Sequence, residues 1–196
     1  MKKTHTRCTW VNMDDPLCIA YHDDEWGVPV YDDTKLFEFL VLESFQAGLN
    51  WRTILRKREN FRAAFDQFDY KKIANYDDNK FQSLMSDAGI IRNRLKINAA
   101  INNARKFQEV QKEFGSFSNY IWHFADNKPI VNHWKNFADI PANTPLSDKI
   151  SKDMKERGFK FAGTTIMYAF MQAMGVVNDH TVDCFRYGEV HRTANK

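Results

Sequence analysis

The sharpest chemical signal in this chain is His180-x-x-x-Cys184. Imidazole nitrogen and thiolate sulfur suit zinc, and on a helix residues i and i+4 share a face, so both donors could reach one ion. The other end of the chain supplies Cys8, Cys18 and His22. Cys18-x-x-x-His22 has the same spacing, so spacing does not choose between Cys8 and Cys18. The plainer reading makes Cys18 a small buried apolar residue and the histidines ordinary core or surface groups. A set of two cysteines and two histidines drawn from both ends would fill all four tetrahedral positions. With no position left for water, such a site is structural, not catalytic.

The second signal is a carboxylate. Leu36, Leu40, Glu43 and Ala47 follow one helical stripe, which puts Glu43 on or beside a face that should be buried. A buried charge is costly unless paired, so Glu43 meets a cation or a backbone donor, or faces a pocket where a ligand is the partner. A structural pair is the commoner case, but aromatic residues crowd this stretch: Tyr21 and Trp26 before it, Phe45 and Trp51 after it. Flat rings beside an acceptor suit a flat, electron-poor or cationic ring. Stacking contributes roughly 1–3 kcal/mol per base, and cation–π attraction up to about 2 kcal/mol when desolvated.

A third signal is Ala88-Gly89-Ile90-Ile91-Arg92-Asn93-Arg94, where a helix ends, a glycine turn follows and a basic helix begins. Backbone amides of such a hairpin and of the following helix N-terminus can hold a phosphate. Arg92, Arg94 and Lys96 would add attraction to a nucleic-acid backbone without regard to sequence. The segment resembles the helix-hairpin-helix motif of DNA-repair proteins. It also reads as a plain helical corner with a solvated basic face.

The elements that must position these groups are mostly helices. Of 196 residues, 43% are apolar and 27% charged, with a formal charge of +3, which excludes a disordered chain and permits nucleic acid without demanding it. Three cysteines argue against a secreted disulfide scaffold and for a reducing compartment. The basic N-terminus lacks the apolar stretch of a signal peptide, and no apolar run is long enough to span a membrane, so we expect a cytoplasmic protein. Periodicity predicts helices over 33–47, 51–65, 70–74, 78–85 and 93–114. Further helices are expected from the Ser116 cap through Phe124 and from the Ser147 cap to Gly158, with a central buried helix over 163–174 and a helical turn over 178–184. Residues 125–145 hold three of the five prolines and read as a long irregular connection.

Longer blocks match a known family. Arg7-Cys8-Thr9-Trp10, Asp15-Pro16-Leu17 and Ala20-Tyr21-His22-Asp23-Asp24-Glu25-Trp26-Gly27-Val28-Pro29 resemble the N-terminus of the 3-methyladenine DNA glycosylase I family. So do Leu42-Glu43, Gln46-Ala47-Gly48-Leu49-Asn50-Trp51, Lys57-Arg58-Glu59-Asn60 and Asp87-Ala88-Gly89-Ile90-Ile91-Arg92. Gly158-Phe159-Lys160-Phe161-Ala162-Gly163-Thr164-Thr165 and Gly175-Val176-Val177-Asn178-Asp179-His180 carry the likeness almost to the C-terminus.

This resemblance implies an all-α helix-hairpin-helix DNA glycosylase fold, its two termini joined by a structural zinc ion on Cys8, His22, His180 and Cys184. It implies removal of 3-methyladenine from alkylated double-stranded DNA by a monofunctional enzyme; separately, we expect a monomer with no membrane partner. We expect one helical region over 30–114 and a second, discontinuous one from 1–29 plus 115–196. Glu43 would recognise the extruded cationic base, Tyr21 and Trp51 would form its pocket, and Trp10 and Trp26 would lie nearby. Gly48 and Leu49 would approach the gap left in the duplex, and Gly89, Ile90 and Arg92 would meet the DNA backbone. The chain departs from the family at Ser44-Phe45, where small or amide residues are usual, and past Cys184, where some relatives carry further cysteines. Two other classes compete with this reading. A non-catalytic zinc-stabilised DNA-binding module accounts for the metal donors and the hairpin, but not for a carboxylate among aromatics. A zinc hydrolase would need an open coordination position.

Overall fold

In the computed structural model, which describes residues 5–193, the helix ends follow local capping chemistry. Helix α1, Pro16–Asp24, starts with Asp15 accepting from the Leu17 amide and Pro16 in the first turn. It lies where sequence periodicity gives no helix, because its apolar residues do not segregate to one side. Helix α2, Asp33–Gln46, is capped by Asp32, which accepts from the Lys35 amide at 2.8 Å. Asp33 instead reaches across the fold and accepts from the Phe117 and Ser118 amides. Helix α3, Trp51–Ala64, is capped by Asn50.

The short helices α4, Tyr70–Ile73, and α5, Asp78–Ser86, lead to the long α6, Arg94–Phe114. Helix α7, Phe117–His123, starts at Ser116 as expected. The cap of α8, Pro145–Glu156, is Thr144 and not Ser147, which instead donates back to Thr144. Helix α9, Thr164–Ala173, is the buried apolar helix foreseen near 163–174. Residues 178–184 form no helix. An unforeseen α10, Phe185–Thr193, begins just beyond them.

The expectation of a purely helical chain also needs correction. Inside the irregular connection, strand β1, Ile130–Val131, pairs in parallel with β2, Val177–Asn178. Two-residue strands carry almost no periodicity to read. Gly175 makes the crossing before β2 possible: its φ is +68°, and a Cβ there would stand 2.3 Å from the Val28 carbonyl carbon.

Helix α2 lies at the centre. Residues 36–45 are buried without a break, and the helix packs against α3, α6, α7 and α9. A helix surrounded on all sides is apolar all round, so the polar residues it does carry stand out. One hydrophobic cluster runs through the described residues, drawing on both the N-terminal and the C-terminal halves. No described helix is long and apolar enough to cross a membrane.

Candidate functional site

Three adjacent helices deliver the expected pocket residues. Tyr21 comes from α1, Glu43 from α2 and Trp51 from the first turn of α3. Together with Trp10 and Trp26 they line one cavity of about 170 Å³. A single water needs only about 10–15 Å³, so a planar ring system fits. The Tyr21 and Trp51 rings lie 5.1 Å apart, and Trp10 meets Trp26 edge-on at 5.1 Å. Gln46, Phe137, Ala169 and Gln172 complete the walls, and none of these four was singled out in the sequence. Phe137 comes from the irregular connection, where spacing gives no hint that it returns to the site. The unusual Ser44-Phe45 pair turns away: Ser44 donates to the Leu40 carbonyl, and Phe45 packs on Phe61 and Phe65.

Glu43 is 4% exposed and makes no hydrogen bond or ion pair among the described residues. Burial alone pushes its carboxyl up to about 8. The Tyr21 hydroxyl is held well above the usual phenol range, first by burial and then by the Glu43 charge. The indole N–H groups of Trp10 and Trp51 are buried without an acceptor. Gln172 donates its amide NH₂ to Asp179 at 2.8 Å. Because a carboxylate only accepts, the Gln172 side-chain carbonyl is left as an acceptor. The cavity is thus an aromatic box holding one uncompensated carboxyl and several unmet polar atoms. Unmet buried groups are rare enough to mark a ligand site.

A second hollow of about 180 Å³ shares Glu43, Gln46 and Ala169 with the first and ends at Gly48 and Leu49. Leu49 is 42% exposed, and Gly48, at φ +76°, has open space where a side chain would be. Lys96 fixes this corner by donating to the Phe45 and Ala47 carbonyls at the C-terminal end of α2.

The hairpin between α5 and α6 forms as expected, but its chemistry differs. Lys57 on α3 donates to the Ala88 and Gly89 carbonyls, tying the hairpin to α3. The Gly89 amide is taken by Asp87 Oδ1 at 2.7 Å, and the Ile90 side chain is buried. Of the three cations assigned to a phosphate backbone, Lys96 is turned inward and Arg94 lies over the Phe81 ring at 5.1 Å. Arg92 is exposed.

Cys8, His22, His180 and Cys184 offer four buried donor atoms within 4.8 Å of one another. Cys18 is buried elsewhere and takes no part. His180 and Cys184 converge through a turn, not on the helix face that their spacing suggested. Three donor–donor distances are 3.5 Å: Cys8 Sγ to His180 Nδ1, Cys184 Sγ to His180 Nδ1, and Cys184 Sγ to His22 Nε2. A tetrahedron with zinc–sulfur bonds of about 2.3 Å and zinc–nitrogen bonds of about 2.0 Å has edges of roughly 3.3–3.8 Å, so these three edges match that ion and the chemistry of the donor set suits it. The other ring nitrogens are occupied, His22 Nδ1 by Asp23 at 2.7 Å and His180 Nε2 by the Trp26 carbonyl at 3.0 Å. Arg7 in turn holds Asp23. Without a cation the two thiols compete. Hydrogen bonding from Cys8, His180 and His22 lowers Cys184, while Cys8 is pushed up beside it. The cluster also touches the cavity, because His180 packs edge-on against Trp26 and His22 against Trp10.

The methyladenine glycosylase family model matches residues 10–187. The chain is 51% identical to DNA-3-methyladenine glycosylase 1 of Escherichia coli over 181 residues, covering 92% of this chain and 96% of that one. A crystal structure of 3-methyladenine DNA glycosylase I superimposes with a TM-score of 0.89 at 50% identity, over 92% of this chain and 98% of that chain. The Staphylococcus aureus enzyme, solved in a study of 3-methyladenine recognition, gives a TM-score of 0.89 at 34% identity over 92% and 96% of the two chains.

Proposed function

Since the chain belongs to the methyladenine glycosylase family, we propose that it is a DNA glycosylase that removes 3-methyladenine from alkylated DNA. The observation that carries this reading is Glu43, a buried carboxylate in an aromatic cavity that makes no hydrogen bond or ion pair among the described residues. The target bond lies inside a duplex, so the nucleotide must leave the stack, and a base that pairs badly leaves at lower cost. Leu49 and Gly48 line the hollow that shares Glu43 with the pocket, and the exposed Leu49 side chain is available to occupy the gap.

Methylation at N3 gives adenine a positive charge. Placed against Glu43, that charge pulls the carboxyl back to its ionised form, and each partner relieves the other's desolvation. Neutral adenine brings no such gain, so the pocket favours the damaged base. Tyr21 and Trp51, whose rings lie against one another at 5.1 Å, form an aromatic wall on which the ring stacks, and the Gln172 carbonyl offers a second acceptor. The C1′–N9 bond then breaks, and its electron pair neutralises the departing base. Water adds to C1′ and loses a proton. A leaving group that departs neutral needs little acid catalysis, so positioning and charge do most of the work.

Cys8, His22, His180 and Cys184 would hold a zinc ion, which would link segments from both ends of the chain. Four protein donors leave no open position, so the ion's part is structural. The test of the main reading is chromatography of free base released from methylated duplex DNA. The protein should liberate 3-methyladenine, and Glu43→Gln should cut the rate at least about 10²-fold, the scale of losing one preorganised electrostatic group. Equal release by both proteins would end the role given to Glu43. Binding of DNA without any release would end the enzymatic reading.

A further inference from the structure

Behind the pocket lies a buried arginine that the proposed reaction does not use. Arg58 on α3 is 5% exposed. Its guanidinium makes a two-pronged bond to Glu25, Nη1 to Oε1 and Nη2 to Oε2, both 2.8 Å, and its Nε donates to Glu38 at 2.6 Å. Glu25 is the C-cap of α1, and Glu38 belongs to α2. One side chain therefore bonds the three helices that deliver Tyr21, Glu43 and Trp51. The same guanidinium lies 4.8 Å from the centre of the Phe39 ring. Phe39 in turn stacks beneath both pocket rings, at 6.3 Å and 18° from Tyr21 and at 6.2 Å and 27° from Trp51.

We propose that Arg58 is a positioning residue for the base pocket, fixing the angle between Tyr21 and Trp51 through Phe39 and the separation of α1, α2 and α3 through its two carboxylates. The inference rests on the glycosylase reading for its ligand but not for its geometry. A purely apolar contact would hold the helices without fixing their rotation. A planar fork bonded to two carboxylates fixes both distance and orientation. Lys35 and Arg62 brace those carboxylates from outside, Lys35 bonding Glu25 at 3.1 Å and Arg62 bonding Glu38 at 2.8 Å. With Glu59, which pairs with Arg62, three carboxylates meet the three cations, and the directional bonds remain.

The test uses Arg58→Lys, which keeps the charge and loses the fork. It also uses Glu25→Gln, which loosens α1 and leaves the Arg58–Glu38 pair intact. Binding of free 3-methyladenine is measured by calorimetry well below each variant's melting temperature, with near-ultraviolet circular dichroism as a readout of the aromatic cluster. Each variant that folds should bind the base about tenfold or more weakly with an altered aromatic spectrum, since losing a base–aromatic stack costs on the order of tenfold or more in affinity. If Arg58→Lys does not fold, Glu25→Gln decides alone. Lower melting with base affinity within twofold of the parent and an unchanged spectrum would make Arg58 merely structural and overturn the proposal. If the parent protein neither binds nor releases the base, the glycosylase reading falls, and an unchanged aromatic spectrum in the variants still overturns the clamp.

Discussion

Glu43 carries a cost whenever it is ionised in the empty pocket, and that cost depends on pH in a definite direction. Its carboxyl is raised from 4.5 to about 8, so the folded chain keeps a proton that the unfolded chain releases. Stability is therefore full below about pH 4.5 and declines as the pH climbs toward about 8. Glu43→Gln removes the penalty and should stabilise the protein by roughly 2–4 kcal/mol above pH 8, with little gain near pH 4. Denaturant unfolding at the two extremes checks this, and a gain independent of pH would contradict the account of the buried carboxyl. The variant that loses activity should be the more stable protein, as expected where a site is kept unsatisfied for its ligand. Glu43 was legible because a charge on an apolar stripe breaks a pattern. Phe137 and Gln172 were not, because a phenylalanine in an irregular stretch and a glutamine in a helix break none.

Among the elements, the hairpin shows how a recognisable motif can differ in its working parts. Asp87 caps the turn after α5 and takes the Gly89 amide that a phosphate would otherwise meet. A carboxylate in that place also repels phosphate. Asp87→Asn should therefore tighten binding to undamaged duplex DNA by roughly two- to fivefold at about 50 mM salt, with a smaller gain at about 200 mM. Fluorescence anisotropy at both salt concentrations reads the effect, and equal affinities would show that the carboxylate does not compete.

The elements themselves were unevenly legible. Helices α2, α3 and α6 announced themselves by caps and stripes. Helix α1 did not, although Asp15-Pro16 is a start signal, because its periodicity is absent. The metal donors are the sharpest lesson. His180 and Cys184 do meet, but through a turn, whereas Cys18 and His22 share a helix and part company. Local spacing does not choose among donors that a distant segment must complete.

At the scale of the whole molecule, the proposed zinc ion would act on stability first and on the pocket second, because His180 and His22 pack against Trp26 and Trp10. The protein should carry one equivalent of zinc by atomic absorption. Cys184→Ser should lose the metal, lower the melting temperature and raise KM more than it lowers kcat. A collapse of kcat with stability intact would assign the ion to the chemistry instead. The same arrangement has a consequence for the newborn chain. Cys8 and His180 stand 172 residues apart, and the walls of the cavity include Trp10 at one end and Gln172 near the other. Tyr21, Glu43 and Trp51 leave the ribosome early, yet they cannot form a closed box until the segment around Gln172 follows. A half-made chain therefore has no finished pocket, and the ability to extrude and hold a damaged base arrives only once the segment from Gln172 to Cys184 has been made.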